Sequence, residues 1–335
     1  MNIGDIIKNS LSILDGNFCS VTKENKQIYE GMMIATNYVQ HVIKTRGLTI
    51  DVSVLYSDSY EKNAFATLFD QKYYIVVYKG LILELNNVIE AFVNNARFDV
   101  IKEQLTIEKS TIKESLFTYS IQFLVAHELA HLRFGHIDYL INNGVNLLLE
   151  AVSKVDTNSV LLYQTLEFDA DCCGISTVVS DILNVGLVLG DVDIVNTLDM
   201  YVKAELAMCN LSIHILFNLL DDKDEADPNK SHPLTSVRVG YIGVTIFTRI
   251  DMLDNKKIVK TYCDFIIDIC LLTINSFQGI LKWNFLYDIY KGIGNEQFNK
   301  IHRNWKVVRE QLAPYAHDGL APYTEEDFKQ LDFKE

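Results

Sequence analysis

Residues 124–136, "LVAHELAHLRFGH", set three histidines and a glutamate in an otherwise apolar segment, and the reading of that segment decides the fold. His127 and His131 stand four positions apart. On a helix both imidazoles then lie on one face, one turn from each other and within reach of a single ion. Glu128 falls on an adjoining face, beside such an ion without ligating it, where it would accept a proton from a water that the ion holds. The pattern HExxH thus reads as two metal ligands and a general base. The competing reading is a buried helix that carries histidines by coincidence. Two imidazoles and a carboxylate in apolar surroundings are costly unless paired or holding a metal, which favours the first.

A zinc site with two histidines takes a third protein ligand and leaves the fourth position to water. The metzincin arrangement would place a histidine six residues after His131, but Ile137 stands there. His136 is one residue short of that position and just past the helix stop expected at Gly135, so a rim or capping role is expected for it. Glu167, in "LEFDADCCG", is the better candidate and gives a His, His, Glu set. Asp171 lies four residues on, on the same helical face, placed to accept the free N–H of a ligand histidine. Asp169 points elsewhere on that helix and is expected to be solvated. Taken without the HExxH pattern, Glu167 and Asp171 read equally well as an exposed acidic face. Cys172 and Cys173 adjoin the site, but a thiolate would displace the water, and both read as buried thiols.

The rest of the chain fits a large folded protein. Of its 335 residues 49% are hydrophobic and 22% charged, near globular averages, so a sizeable core is expected and disorder is not. A net charge of −14 argues against nucleic acid as the partner. The N-terminus, "MNIGDIIKNSLSILDGNF", carries Asp5 within its apolar part and does not read as a signal peptide. The longest run without acidic or basic residues, Leu206–Leu220, is too short to span a bilayer, and no membrane insertion is expected. Six cysteines show no CxxC pair or framework spacing, which suits a reducing, cytoplasmic setting. Oligomeric state is not legible.

Periodicity outlines the elements. Residues 26–46 read as a helix, with Ile28, Met32, Ala35, Val39 and Val42 at helical spacing. Residues 50–57 and 73–82 read as strands, with a helix following from about Asn86. Residues 114–133 form an apolar, buried helix, and a further helix runs from about Ser159 to Ser180. The polar stretch 221–233 reads as a linker. Helical pattern resumes after it, with "DFIIDICLLTI" and "WNFLYDIY" as apolar stripes.

HELAH followed some thirty-five residues on by ExxAD resembles the HtpX and CAAX-prenyl-protease group of gluzincin metallopeptidases. Two further stretches carry the resemblance. "NAFATLFDQKYYIVVYKGLI", 63–82, is similar to the segment before HExxH in that group, including Asn63, Ala64, Phe65 and Ala66. "SHPLTSVR", 231–238, is similar to its downstream HP motif, with Arg238 six residues after His232. The four motifs span about half the chain, 63–240.

The resemblance implies an α+β, mainly helical fold: a zincin-like core with a small β-sheet whose edge strand borders the active site. The catalytic domain would cover 1–250, with an insert at 84–126 able to shape or cover the cleft. A helical C-terminal extension, 251–335, would pack on it. The resemblance also implies one zinc ion per chain and an extended polypeptide substrate pairing with the edge strand near 63–78. Members of the group carry membrane helices or a secretion signal, which this sequence does not show. A soluble peptidase of this build is also similar, on HExxH alone, to the Lit-type phage-exclusion peptidases, which act on a host protein.

On this reading Glu128 takes a proton from water and returns it to the leaving amine. The oxyanion needs a donor besides zinc. His232 is the first candidate, Arg238 the second and Tyr241 the third. His232 has two other readings, a latent state in which it fills the open zinc position, and a mere turn anchor. His41, His214, His302 and His317 have no partners at useful spacing and read as structural. Two other classes of function remain open: a zinc-stabilised binding module without turnover, and an interaction protein without metal.

Overall fold

The computed structural model of the chain describes residues 3–9, 23–144, 157–188, 195–220, 232–253, 256–277 and 296–317. The expected linker lies almost wholly outside the described residues, as does "WNFLYDIY". Within them the protein is mostly helical with one small sheet, as expected for an α+β, mainly helical chain.

After a short α1 (Ile3–Asn9), α2 (Lys23–Arg46) buries Ile28, Met32, Ala35, Val39 and Val42 along one face. Each of the larger side chains moved from water into the core contributes about 1.5–3 kcal/mol, and the Ala35 methyl group less. The sheet follows as β1 (Val52–Ser57), β2 (Ala64–Phe69) and β3 (Lys72–Tyr78), in spatial order β1-β3-β2. Strand β3 is central, parallel to β1 and antiparallel to β2. Asp70 and Gln71 join β2 to β3, both with positive φ (50° and 63°), which gives the tight hairpin the right twist. One sheet face, with Val54, Ala64, Ala66, Ile75 and Val77, joins the main core. The other, with Leu55, Phe65 and Val76, is covered by Ile6 of α1.

The strand read over 73–82 stops at Tyr78, and α3 (Lys79–Asn94) starts at once, well before Asn86. Apolar residues at period two in β3 pass without a gap into Ile82, Leu85, Ile89 and Val93 at helical spacing, so the boundary was hidden. The 84–126 insert is helical and belongs to the core. It forms most of α3, then α4 (Asp99–Leu105) and the first part of α5 (Lys109–Arg133). Its residues Phe98, Ile101, Leu105, Ile112 and Leu116 are fully buried in the core.

Helix α5 is the centre of the molecule. Packed on it are α2, α3, α7 (Thr157–Val188), α8 (Val195–Leu220) and the β2–β3 hairpin. From Phe123 to Ala130 every side chain is buried. Gly135, in the left-handed region at φ +70, then turns the chain into α6 (His136–Asn142). The chain continues through α9 (Thr235–Asp251), α10 (Lys256–Phe277) and α11 (Glu296–Leu312). Helix α11 buries Phe298, Ile301, Trp305, Val308 and Leu312 and packs against α7. No helix among the described residues is long and apolar enough to cross a membrane.

Candidate metal centre

Helices α5 and α7 cross where their side chains are small. Ala130 of α5 meets Ala170 and Cys173 of α7 in one buried cluster. A methyl group at Gly174 would come within 3.0 Å of the His127 amide nitrogen. Glycine there lets the helices approach closely, at a modest cost in helix propensity. Residues 167, 171 and 174 follow at i, i+4 and i+7, so one α7 face presents Glu167, Asp171 and Gly174 to the HExxH turn.

This crossing brings His127, His131 and Glu167 together, with one ligating atom from each within 4.8 Å of the others. The two Nε2 atoms are 3.1 Å apart. His127 Nε2 is 3.5 Å from Glu167 Oε2, and His131 Nε2 is 3.4 Å from Glu167 Oε1. An ion with nitrogen and oxygen ligands at roughly 2.0–2.2 Å in tetrahedral geometry needs ligand atoms roughly 3.3–3.6 Å apart. Glu167 Oε2 is buried and has no hydrogen-bond partner. A buried carboxylate oxygen without a donor is costly, and a cation between these three groups removes the cost. The group could hold a metal ion.

Asp171 is fully buried behind His127, its Oδ1 2.8 Å from His127 Nδ1 in a close but bent contact. Arg238 of α9 holds the same carboxylate with two hydrogen bonds, Nε to Oδ2 at 2.7 Å and Nη2 to Oδ1 at 2.8 Å. Tyr241 donates its hydroxyl to Oδ2 at 2.8 Å. Arg238 and Tyr241, expected as oxyanion donors, are both buried with hydrogen bonds to Asp171, and Arg238 Nη2 also lies 3.6 Å from Glu167 Oε2. Burial would lift the Asp171 pKa, but the Arg238 and His127 charges outweigh it and hold the carboxyl below its ordinary value.

Glu128 is buried, and its carboxylate accepts a hydrogen bond from the Ala66 backbone N–H. Burial pushes its pKa up to about 7, with the Glu167 charge adding to the shift against the pull of His127, Ala66 and Arg238. Ladder geometry explains why Ala66 reaches it. Tyr78 N donates to Asn63 O, so the backbones of Asn63 and Phe65 face β3, while those of Ala64 and Ala66 face outward. Of the four residues expected to meet substrate, Ala64 and Ala66 turn their backbones away from β3. The Asn63 side chain caps the Ala64 N–H at 2.8 Å, and Phe65 packs toward α1. Of the edge strand expected over 63–78, only β2 lies at an edge, since β3 is inside the sheet and β1 forms the other edge.

His232 lies just before α9 with Nε2 3.6 Å from Glu167 Oε2, its side chain 36% exposed, on the side where the cluster meets solvent. His136 and Asp169 depart from expectation. His136 is fully buried, with Nδ1 3.0 Å from His131 Nδ1 and Nε2 3.1 Å from Asp169 Oδ2. Asp169 is also buried, and Trp305 Nε1 donates to its Oδ1 at 2.7 Å. Gly135 redirects the chain so that His136 folds back under the helix it has just left. Cys172 and Cys173 face Thr245 and Arg133 instead of the cluster. His317, expected to lack a partner, sits between the Tyr73 hydroxyl (2.8 Å) and Asp138 (3.2 Å).

No family model matches the chain, and neither a curated protein nor a solved structure does.

Proposed function

We propose that this protein is a zinc-dependent endopeptidase with a zincin-like core, with His127, His131 and Glu167 as ligands and Glu128 as general base. The observation that carries the reading is the buried Glu167 carboxylate, which faces His127 Nε2 through Oε2 and His131 Nε2 through Oε1 with no hydrogen bond to Oε2. Two histidines and one carboxylate, with no fourth protein ligand in the group, are the donor set of catalytic zinc sites that keep a position open. Zinc there supplies Lewis acidity and brings the pKa of water to about 7.

The chain's own residues supply the rest. The Glu128 carboxylate, with a pKa near the working pH, takes a proton from the attacking water and gives it to the leaving amine. The Ala66 N–H keeps that carboxylate turned toward the ligand cluster. Asp171, fixed by Arg238 and Tyr241, holds the His127 ring. His232 is the donor for the developing oxyanion, being the partly exposed imidazole beside Glu167. The outward carbonyls of Ala64 and Ala66, whose N–H groups are held by Asn63 and Glu128, offer an extended polypeptide main-chain acceptors, which gives affinity with little side-chain preference.

The test is Glu128→Gln. It is expected to abolish cleavage of an unfolded protein substrate, a loss of at least about a hundredfold, with zinc content unchanged. Equal cleavage by wild type and variant would refute the peptidase reading. Stoichiometric zinc with no cleavage by either protein would point to a zinc-stabilised binding module.

A further inference from the structure

Resting on the zinc reading above, we propose that His136, Asp169 and Trp305 form a directed hydrogen-bond chain that orients His131 and fixes its tautomer. His136 is thereby a positioning residue for the metal centre. Helix α11, near the C-terminus, becomes part of that centre's support.

The direction follows from the far end. An ionised Asp169 can only accept. Trp305 Nε1–H donates to its Oδ1 at 2.7 Å, and the donor 3.1 Å from its Oδ2 is His136 Nε2. A neutral His136 with its proton on Nε2 presents a lone pair at Nδ1. Its only use is to accept from His131 Nδ1, 3.0 Å away. His131 must then carry its proton on Nδ1, which leaves its Nε2 lone pair pointing at His127 and Glu167. Reversing the His131–His136 bond would put the His131 proton on Nε2, where it would block ligation. His136 and Asp169 are almost wholly buried, so water does not compete for these bonds. Partners of this kind fix ring orientation and raise ligand basicity. Asp171 does the same work for His127 but contacts neither His136 nor His131 in the geometry above, so the two supports are separate.

The experiment measures zinc affinity by chelator competition, and the visible spectrum of the cobalt-loaded protein, for wild type and five variants. His136→Leu, which removes the acceptor, is expected to weaken zinc binding about 10–100-fold and to change the cobalt spectrum. His136→Asn, whose side-chain carbonyl can stand near the lost Nδ1, is expected to recover most of that affinity. A purely structural role would not be rescued by so small a residue. Asp169→Asn and Trp305→Phe should weaken binding in that order, the latter by up to about tenfold. The thermal midpoint of each metal-free variant reports folding. Should His136→Leu fail to fold, Trp305→Phe decides the case, since it removes one N–H and little volume. Zinc affinity and cobalt spectrum unchanged in the folded variants would overturn the chain while leaving the zinc site intact, provided His131→Ala loses zinc. A wild-type protein that takes up no zinc would overturn the chain and the function together.

Discussion

His127 and His131 leave the same helix one turn apart, yet opposite chemistries stand behind them. Behind His127 the support is ionic: a buried Asp171 gripped by the Arg238 fork and the Tyr241 hydroxyl. Behind His131 it is a second imidazole, with the carboxylate of Asp169 one ring further away. The consequence is electrostatic. Burial pulls both rings toward the neutral form. At His127 the Asp171 and Glu167 charges overcome it and raise the pKa to about 10. At His131 burial wins against Glu167, with the charge of the neighbouring His127 adding to it, and the pKa falls to about 4. Two residues of one type on one turn are thus separated by what lies behind them.

The comparison can be broken at several points. The largest effect is expected from Arg238→Met, which leaves the Asp171 carboxylate buried without its counter-charge and should cost about 3–5 kcal/mol in a denaturant titration. A loss below 1 kcal/mol would mean that His127 alone neutralises Asp171. Next comes Gly174→Ala. Its methyl group meets the His127 backbone at 3.0 Å, so α7 must back away from α5. A stability loss of about 1–3 kcal/mol is expected together with weaker zinc binding. Stability lost with zinc affinity kept would show that the crossing distance does not set the site.

The pH dependence of zinc binding sharpens the contrast between the two rings. Below about pH 10 His127 carries a proton that the ion must displace, while above about pH 4 His131 carries no second proton. Affinity should therefore rise with pH at about tenfold per unit, or 1.4 kcal/mol, through the neutral range. A slope near two would mean that both rings are charged, and a flat profile that neither is. The smallest effect is expected from Tyr241→Phe. It removes one of the donors to Asp171 and should cost about 1 kcal/mol, with Arg238 holding the carboxylate in place.

The ionic half of the site was largely readable before any coordinates. His127, His131, Glu167 and Asp171 all sit at intervals of four on helices whose periodicity is plain, and such intervals put side chains on one face. Arg238 and Tyr241 were found as residues of interest, but their hydrogen bonds to Asp171 were not. A spacing motif names residues without saying which side of the site they approach from. The neutral half was missed. His136 follows a glycine with positive φ, so the direction of its ring depends on one backbone turn that no periodicity reports. Trp305 lies 136 residues from Asp169 and meets it only because α11 packs against α7. Asp169 looked solvated for the same reason, since nothing near it in sequence covers it.

The sequence by itself determined the long helices α2, α5 and α7, which turn carries the ligand pair, and that Glu167 and Asp171 share a face. These are consequences of a 3.6-residue repeat and of nearest neighbours along the chain. Only the tertiary structure decided the strand-to-helix switch at Tyr78, the outward-facing backbone of Ala64 and Ala66 beside Glu128, and the burial of His136 and Asp169. Each of these depends on which distant surface closes over the residue. Burial and hydrogen-bond direction are properties of the packed chain and leave no local pattern to read.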